Sequence, residues 1–139
     1  VTLWRGALDP GQTGHIQKVH SSISLAPEPR SAGAARHFVE DYVRGHVSPE
    51  TSDVAVLLTS ELVTNVIVHA RTPLRLDVCL EDSEVRVSVV DDVPQPPRRR
   101  NPAEARMTGR GINLVATLAA AWGIEPTPPG KTVWFLLPA

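Results

Sequence analysis

The sequence predicts an α+β domain, a two-layer sandwich in which helices pack on one face of a mixed, mostly antiparallel sheet. Two clean polar–apolar alternations, Leu74–Leu80 and Val85–Val89, are joined by the short polar turn Glu81-Asp82-Ser83 and read as a β-hairpin. Two stretches with apolar residues at helical spacing precede the hairpin, and a third helix and two more strands follow it. Helices and strands therefore mix without regular β-α-β alternation, which is the signature of α+β layers.

In chain order, residues 1–20 carry no strong periodicity. Trp4, Pro10, Gly11 and Gly14 mark them as an N-terminal extension, and the domain itself is expected over residues 21–139. His20–Leu25 alternates and suggests an edge strand, stopped by Pro27 and Pro29. Ser31 is the expected N-cap of a helix reaching about His46, with Ala35, Phe38, Val39, Tyr42 and Val43 on its apolar side. Gly45 and Pro49 end it, and Thr51 or Ser52 starts a second helix over about Asp53 to Ala70. That helix is apolar on most faces, so it is expected to be buried. The hairpin ends in Val90-Asp91-Asp92. Residues 93–110 then form a loop with four prolines and five arginines. Gly111 opens a third helix to about Ala121, Trp122–Glu125 is a short strand, Pro126–Gly130 a turn, and Thr132–Leu137 a closing strand.

Composition narrows the classes. A chain of 139 residues can bury about two thirds of its unfolded surface and needs no disulfide or metal to hold a core. The formal net charge of -1 lacks the basic excess of a dedicated nucleic-acid binder. No run reads as a membrane helix of about 20 apolar residues, and no export signal opens the chain, so a cytoplasmic location is expected. Cys79 is the only cysteine, which excludes an intramolecular disulfide or a cysteine-based zinc cluster.

Four places bear residues with chemistry. On the second helix Glu61, Asn65 and His69 recur every fourth residue and share one face. Polar groups are costly to bury unless paired or used, so this stripe either meets solvent or lines a site. In a site, the Asn65 carbonyl oxygen suits Mg²⁺, a hard cation, and Glu61 can accept a proton. Asp91, at a strand end, is either a turn residue or an acceptor for an exocyclic amine such as that of adenine. Thr108-Gly109-Arg110-Gly111-Ile112 runs into a helix. Glycines admit close backbone approach and a helix N-terminus favours phosphate, although a short Gly-x-Gly is also an ordinary loop. Gly130-Lys131-Thr132 precedes the last strand and by itself is only a hairpin turn. Arg98-Arg99-Arg100 is either a solvated stretch or a mobile basic cover over an anionic ligand.

Together and in this order, these segments resemble the GHKL (Bergerat-fold) ATP-binding superfamily. The chain is most similar to the RsbW/SpoIIAB-type anti-sigma factor serine/threonine kinases in their short single-domain form. Glu61-x-x-x-Asn65-x-x-x-His69-Ala70 resembles the N-box and Asp91 the first glycine-box aspartate. Gly109-Arg110-Gly111-Ile112-x-Leu114 resembles the second glycine box, and Gly130-Lys131-Thr132-Val133-Trp134-Phe135 the final motif. The resemblance spans about residues 21–139.

It implies ATP and Mg²⁺ as cofactors. Asn65 would hold Mg²⁺, and Glu61 would orient or deprotonate the attacking hydroxyl. Asp91 would bond the adenine amine, Gly109, Arg110 and Gly111 would contact phosphates, and Thr132 would support the adenine pocket. The implied partners are a STAS-domain anti-anti-sigma protein, phosphorylated on serine or threonine, and a sequestered sigma factor. Many members are homodimers, and no direct nucleic-acid or membrane contact is implied. One departure stands out: the family's Asp-x-Gly-x-Gly is here Asp91-Asp92-Val93-Pro94-Gln95, without either glycine. Retention of Glu61 points to a kinase, whereas loss of those glycines points to a nucleotide-binding switch acting by protein contact. The turn Arg106–Gly111 also resembles the coenzyme A loop of acetyltransferases, a reading that leaves Glu61, Asn65 and Asp91 unexplained.

Overall fold

The structure, a computed structural model, describes residues 19–93 and 113–139. The expected N-terminal extension, the arginine-bearing loop and Gly109, Arg110 and Gly111 of the second glycine box lie, apart from the segment edges, outside the described residues.

The described elements are β1 (Val19–Leu25), α1 (Arg30–Val43), α2 (Pro49–Asn65), a π-helical turn (Val66–Ala70), β2 (Leu74–Glu81), β3 (Glu84–Asp91), β4 (Ala121–Thr127) and β5 (Gly130–Pro138), with residues 113–118 helical before β4. The strands form one sheet in the order β1-β2-β3-β5-β4. The α+β, mostly antiparallel architecture is the one expected, and each of the four pairings among the described strands is antiparallel.

Strand alternation sends one set of side chains toward the helices. Leu74, Leu76, Val78 and Leu80 of β2, Val85, Val87 and Val89 of β3, and Val133, Phe135 and Leu137 of β5 form the sheet side of the core. Ala35, Val39 and Val43, four apart on α1, and Ala55, Leu58, Leu62 and Val63 on α2 close it from above. On the opposite face of the sheet the Asp77 carboxylate is buried and receives Ser22 Oγ and Arg75 Nε. Nearby, the Arg86 guanidinium lies 5.2 Å from the Trp134 ring centre.

Helix boundaries differ from expectation for local reasons. Ser31 is not an N-cap. The cap of α1 is Pro29, without a side-chain bond, and Ser31 lies buried in the first turn, where its hydroxyl donates to the Ala26 carbonyl at 2.6 Å. The helix ends at Val43, and Gly45 follows with φ +80°. α2 begins at Pro49 rather than near Asp53: Ser48 Oγ accepts the Thr51 N–H at 3.1 Å, and Glu50 adds a negative charge to the first turn. Proline is favoured as a first helical residue because its missing N–H would have no partner there, so Pro49 opens the second helix instead of closing the first.

α2 is not buried all round. In a two-layer fold its outer side meets solvent, and Leu57 is 42% exposed. Against the expectation that no run is long and apolar enough, Pro49–Ala70 passes as a membrane-crossing segment by length and composition. Its place is the core, through Leu58, Leu62, Val63 and Val66.

Candidate functional site

The helix that carries Glu61 and Asn65 ends in a change of geometry. After Asn65 the chain widens into a π turn, closed by the Arg71 N–H donating to the Val66 carbonyl at 2.7 Å, an i→i+5 bond. Such turns recur at functional sites. Glu61 and Asn65 are half-buried at the end of α2, and His69, within the turn, is exposed. Arg71 then adopts φ +59° and reverses the chain toward β2.

The reversal brings this end of α2 to the end of β3. Leu74, the first residue of β2, pairs in register with Asp91, the last of β3. The Asp92 N–H donates to Thr72 Oγ1 at 3.2 Å, tying the segment after β3 to the segment after the π turn. Glu61, Asn65 and Asp91 therefore belong to one end of the sandwich.

Asp91 is 2% exposed. One carboxylate oxygen accepts the Val93 N–H at 3.0 Å, and the other accepts Lys131 Nζ at 2.6 Å. Lys131 stands directly opposite Asp91 in the β3–β5 register, and both side chains point to the helix side of the sheet, in line with Val89 and Val133. Gly130, one residue earlier, permits the approach: a Cβ there would lie 1.9 Å from the Asp91 carbonyl oxygen.

The predicted site residues thus separate into three groups. Glu61, Asn65 and Asp91 share one end of the fold. Thr132 does not point toward Asp91. It opposes Val90, faces the other side of the sheet, and its hydroxyl lies 2.7 Å from Thr127 Oγ1. Gly109, Arg110 and Gly111 lie outside the described residues. The residue beside Asp91 that sequence reasoning missed is Lys131. The signal for it was strand parity, since 131 falls in step with the apolar positions 133, 135 and 137.

The donor chemistry suits the implied cofactors. Mg²⁺ bound through substrate phosphates takes only one or two protein oxygens and keeps several waters. Asn65 offers one such oxygen, with the Glu61 carboxylate one turn before it on the same helix.

Residues 25–137 match the family model described as histidine kinase-like ATPase domain. A search of curated proteins returns no match. Among solved structures, the chain is similar to the RsbU and RsbW domains of Rv1364c from Mycobacterium tuberculosis, with a TM-score of 0.67 and 18% identity over 86% of this chain. It spans 32% of that longer chain. At this identity the likeness establishes the fold, a GHKL fold of RsbW type. With the family model covering most of its length, the chain belongs to the histidine kinase-like ATPase domain family.

Proposed function

We propose that this domain binds ATP with Mg²⁺ and acts as an anti-sigma factor kinase. It would transfer the γ-phosphoryl group to a serine or threonine of a STAS-domain anti-anti-sigma protein and, in its other state, sequester a sigma factor. The observation that carries the reading is the joining of Asp91 to the Glu61–Asn65 end of α2 within a chain of this family. A cytoplasmic homodimer without direct nucleic-acid or membrane contact completes the proposal.

Each residue has a role its chemistry supports. The buried Asp91 carboxylate accepts the exocyclic amine of adenine, Asn65 supplies an oxygen to Mg²⁺, and Gly109, Arg110 and Gly111 contact phosphate. Bound Mg²⁺ would screen phosphate charge during transfer. Glu61 takes the proton of the attacking hydroxyl. Phosphoryl transfer depends on positioning and electrostatic stabilisation, and Glu61 is the member of the set needed only when a hydroxyl attacks. Thr132 could support the pocket only through the strand it shares with Lys131, because its hydroxyl bonds on the opposite face.

The test is incubation of the full chain with labelled ATP, Mg²⁺ and candidate STAS proteins. Glu61→Gln is expected to leave ATP binding nearly unchanged while lowering transfer by about 10²-fold or more, the scale of a general base. A second reading, a nucleotide-binding switch with little turnover, is favoured by Val93. It stands where the family's run has glycine and restricts the backbone beside Asp91 where glycine would leave it free. Tight binding of both ATP and partner without transfer would decide for the switch.

A further inference from the structure

Lys131 touches the same carboxylate that the ATP-binding reading assigns to the base, yet it has no role in that reading. The two side chains are 2% and 11% exposed for Asp91 and Lys131. Separating a buried pair leaves a charge without its partner and is strongly unfavourable, so a ligand arriving at Asp91 meets the intact pair.

The intact pair still has capacity. A carboxylate offers about four lone-pair sites and an ammonium three N–H donors. Val93 and Lys131 use one site on each Asp91 oxygen, and Asp91 uses one Lys131 hydrogen. Among the described residues no other hydrogen bond is made by Lys131 Nζ. Acceptor and donor thus stand side by side, 2.6 Å apart. A carboxamide offers the same pattern, and in the DNA major groove it reads adenine bidentately through the N6 amine and ring nitrogen N7. N1 flanks the same amine on its other side, so the same side-by-side pattern fits that edge.

We propose that Asp91 and Lys131 read the base as one unit, Asp91 accepting from the N6 amine of adenine and Lys131 donating to ring nitrogen N1. Lys131 is then a specificity-determining residue. The inference rests on the ATP-binding reading and adds to it a contact that Asp91 alone cannot make.

The experiment compares ATP with 1-deaza-ATP, in which a C–H replaces N1, by calorimetric titration of the full chain as wild type, Lys131→Met and Lys131→Gln. The wild type is expected to bind 1-deaza-ATP about 10-fold or more weakly than ATP, because a charged donor loses its acceptor. In Lys131→Met the two nucleotides should bind within about twofold of each other, and Lys131→Gln, which keeps an N–H donor, should recover part of the preference. The readout is the ratio of affinities, which a purely structural role for Lys131 would not move. Equal binding of the two nucleotides by the wild type overturns the inference and leaves ATP binding standing, and so does full discrimination in Lys131→Met. A wild type that binds neither nucleotide overturns the ATP-binding reading, and this inference with it. Where Lys131→Met does not fold, the wild-type ratio and Lys131→Gln decide.

Discussion

Gly130 lies against the backbone of Asp91, so closely that a Cβ at position 130 would stand 1.9 Å from the Asp91 carbonyl oxygen and 2.8 Å from the Asp92 Cα. Both neighbours are backbone and cannot swing aside. Gly130→Ala must therefore push β5 away from β3 at the point where Lys131 meets Asp91. Overpacking of this kind costs about 1–3 kcal/mol, and nucleotide affinity should fall with it. Gly45→Ala is the control. Its φ of +80° is strained for alanine, but nothing lies within 4 Å of the added Cβ. Denaturant unfolding should show a loss of about 1–2 kcal/mol for Gly45→Ala, and weakened ATP binding only for Gly130→Ala.

A second expectation concerns Ser48. Its hydroxyl accepts the Thr51 N–H at the start of α2, the helix that carries Glu61 and Asn65. Ser48→Ala should lower stability by about 1 kcal/mol, the usual worth of an N-cap. Urea unfolding measures it. Ser48→Asp should keep the cap and recover the loss.

The two serines show why some of the fold is legible in sequence and some is not. The β2–β3 hairpin follows from alternation alone, and its turn is Asp82-Ser83 once Glu81 and Glu84 are seen to pair. Ser31 and Ser48 look alike locally. What separates them is tertiary, because Ser31 is drawn to the Ala26 carbonyl inside the fold. Pro126 reads as a turn, yet it belongs to β4, an edge strand, where a missing N–H is tolerated. The site follows the same rule. Glu61 and Asn65 share a face by helical spacing, and Asp91 ends a readable strand. Strand parity puts Lys131 and not Thr132 on the face of Asp91, but that Lys131 stands directly opposite it depends on the register between β3 and β5, strands separated by some 40 positions of chain, which no local pattern fixes.

Tyr42 supplies a pH-dependent prediction that is easy to isolate, since it is the only tyrosine. Burial pushes its phenol up from 10.0 to about 12, the Cys79 charge adds to the shift, and the Leu80 backbone opposes it. A folded value above the unfolded one means that the native state holds the proton more tightly. The stability this contributes is complete below about pH 10 and is lost as pH rises toward 12. Ultraviolet titration of the phenolate should show a midpoint near 12 while the chain remains folded. Tyr42→Phe should remove that part of the alkaline loss. A midpoint near 10.0 in the folded chain would show that burial exerts no such effect.

Asn65 can be tested apart from catalysis. If its carboxamide oxygen holds Mg²⁺, Asn65→Ala should weaken ATP binding measured with Mg²⁺ and leave binding measured in a chelator unchanged. Loss of one ligand from a site that also uses phosphate oxygens and water removes part of the metal dependence rather than the whole. An equal effect with and without Mg²⁺ would place Asn65 at the nucleotide and not at the metal.

The Asp91–Lys131 pair makes its own demand on stability, separate from any ligand. Asp91→Asn leaves a buried ammonium facing a neutral amide, and Lys131→Met leaves a buried carboxylate held, among the described residues, by the Val93 N–H. Each single change breaks a buried pair by removing one partner, which typically costs about 3–5 kcal/mol. Asp91→Asn with Lys131→Met removes both charges and places an apolar stem beside a neutral amide, so it should cost less than the two single losses added together. The coupling read from the four unfolding curves should be about 1–3 kcal/mol in favour of the pair. Additive losses would mean that the two charges act independently despite their 2.6 Å contact, and an undiminished fold in either single variant would mean that water reaches the freed partner.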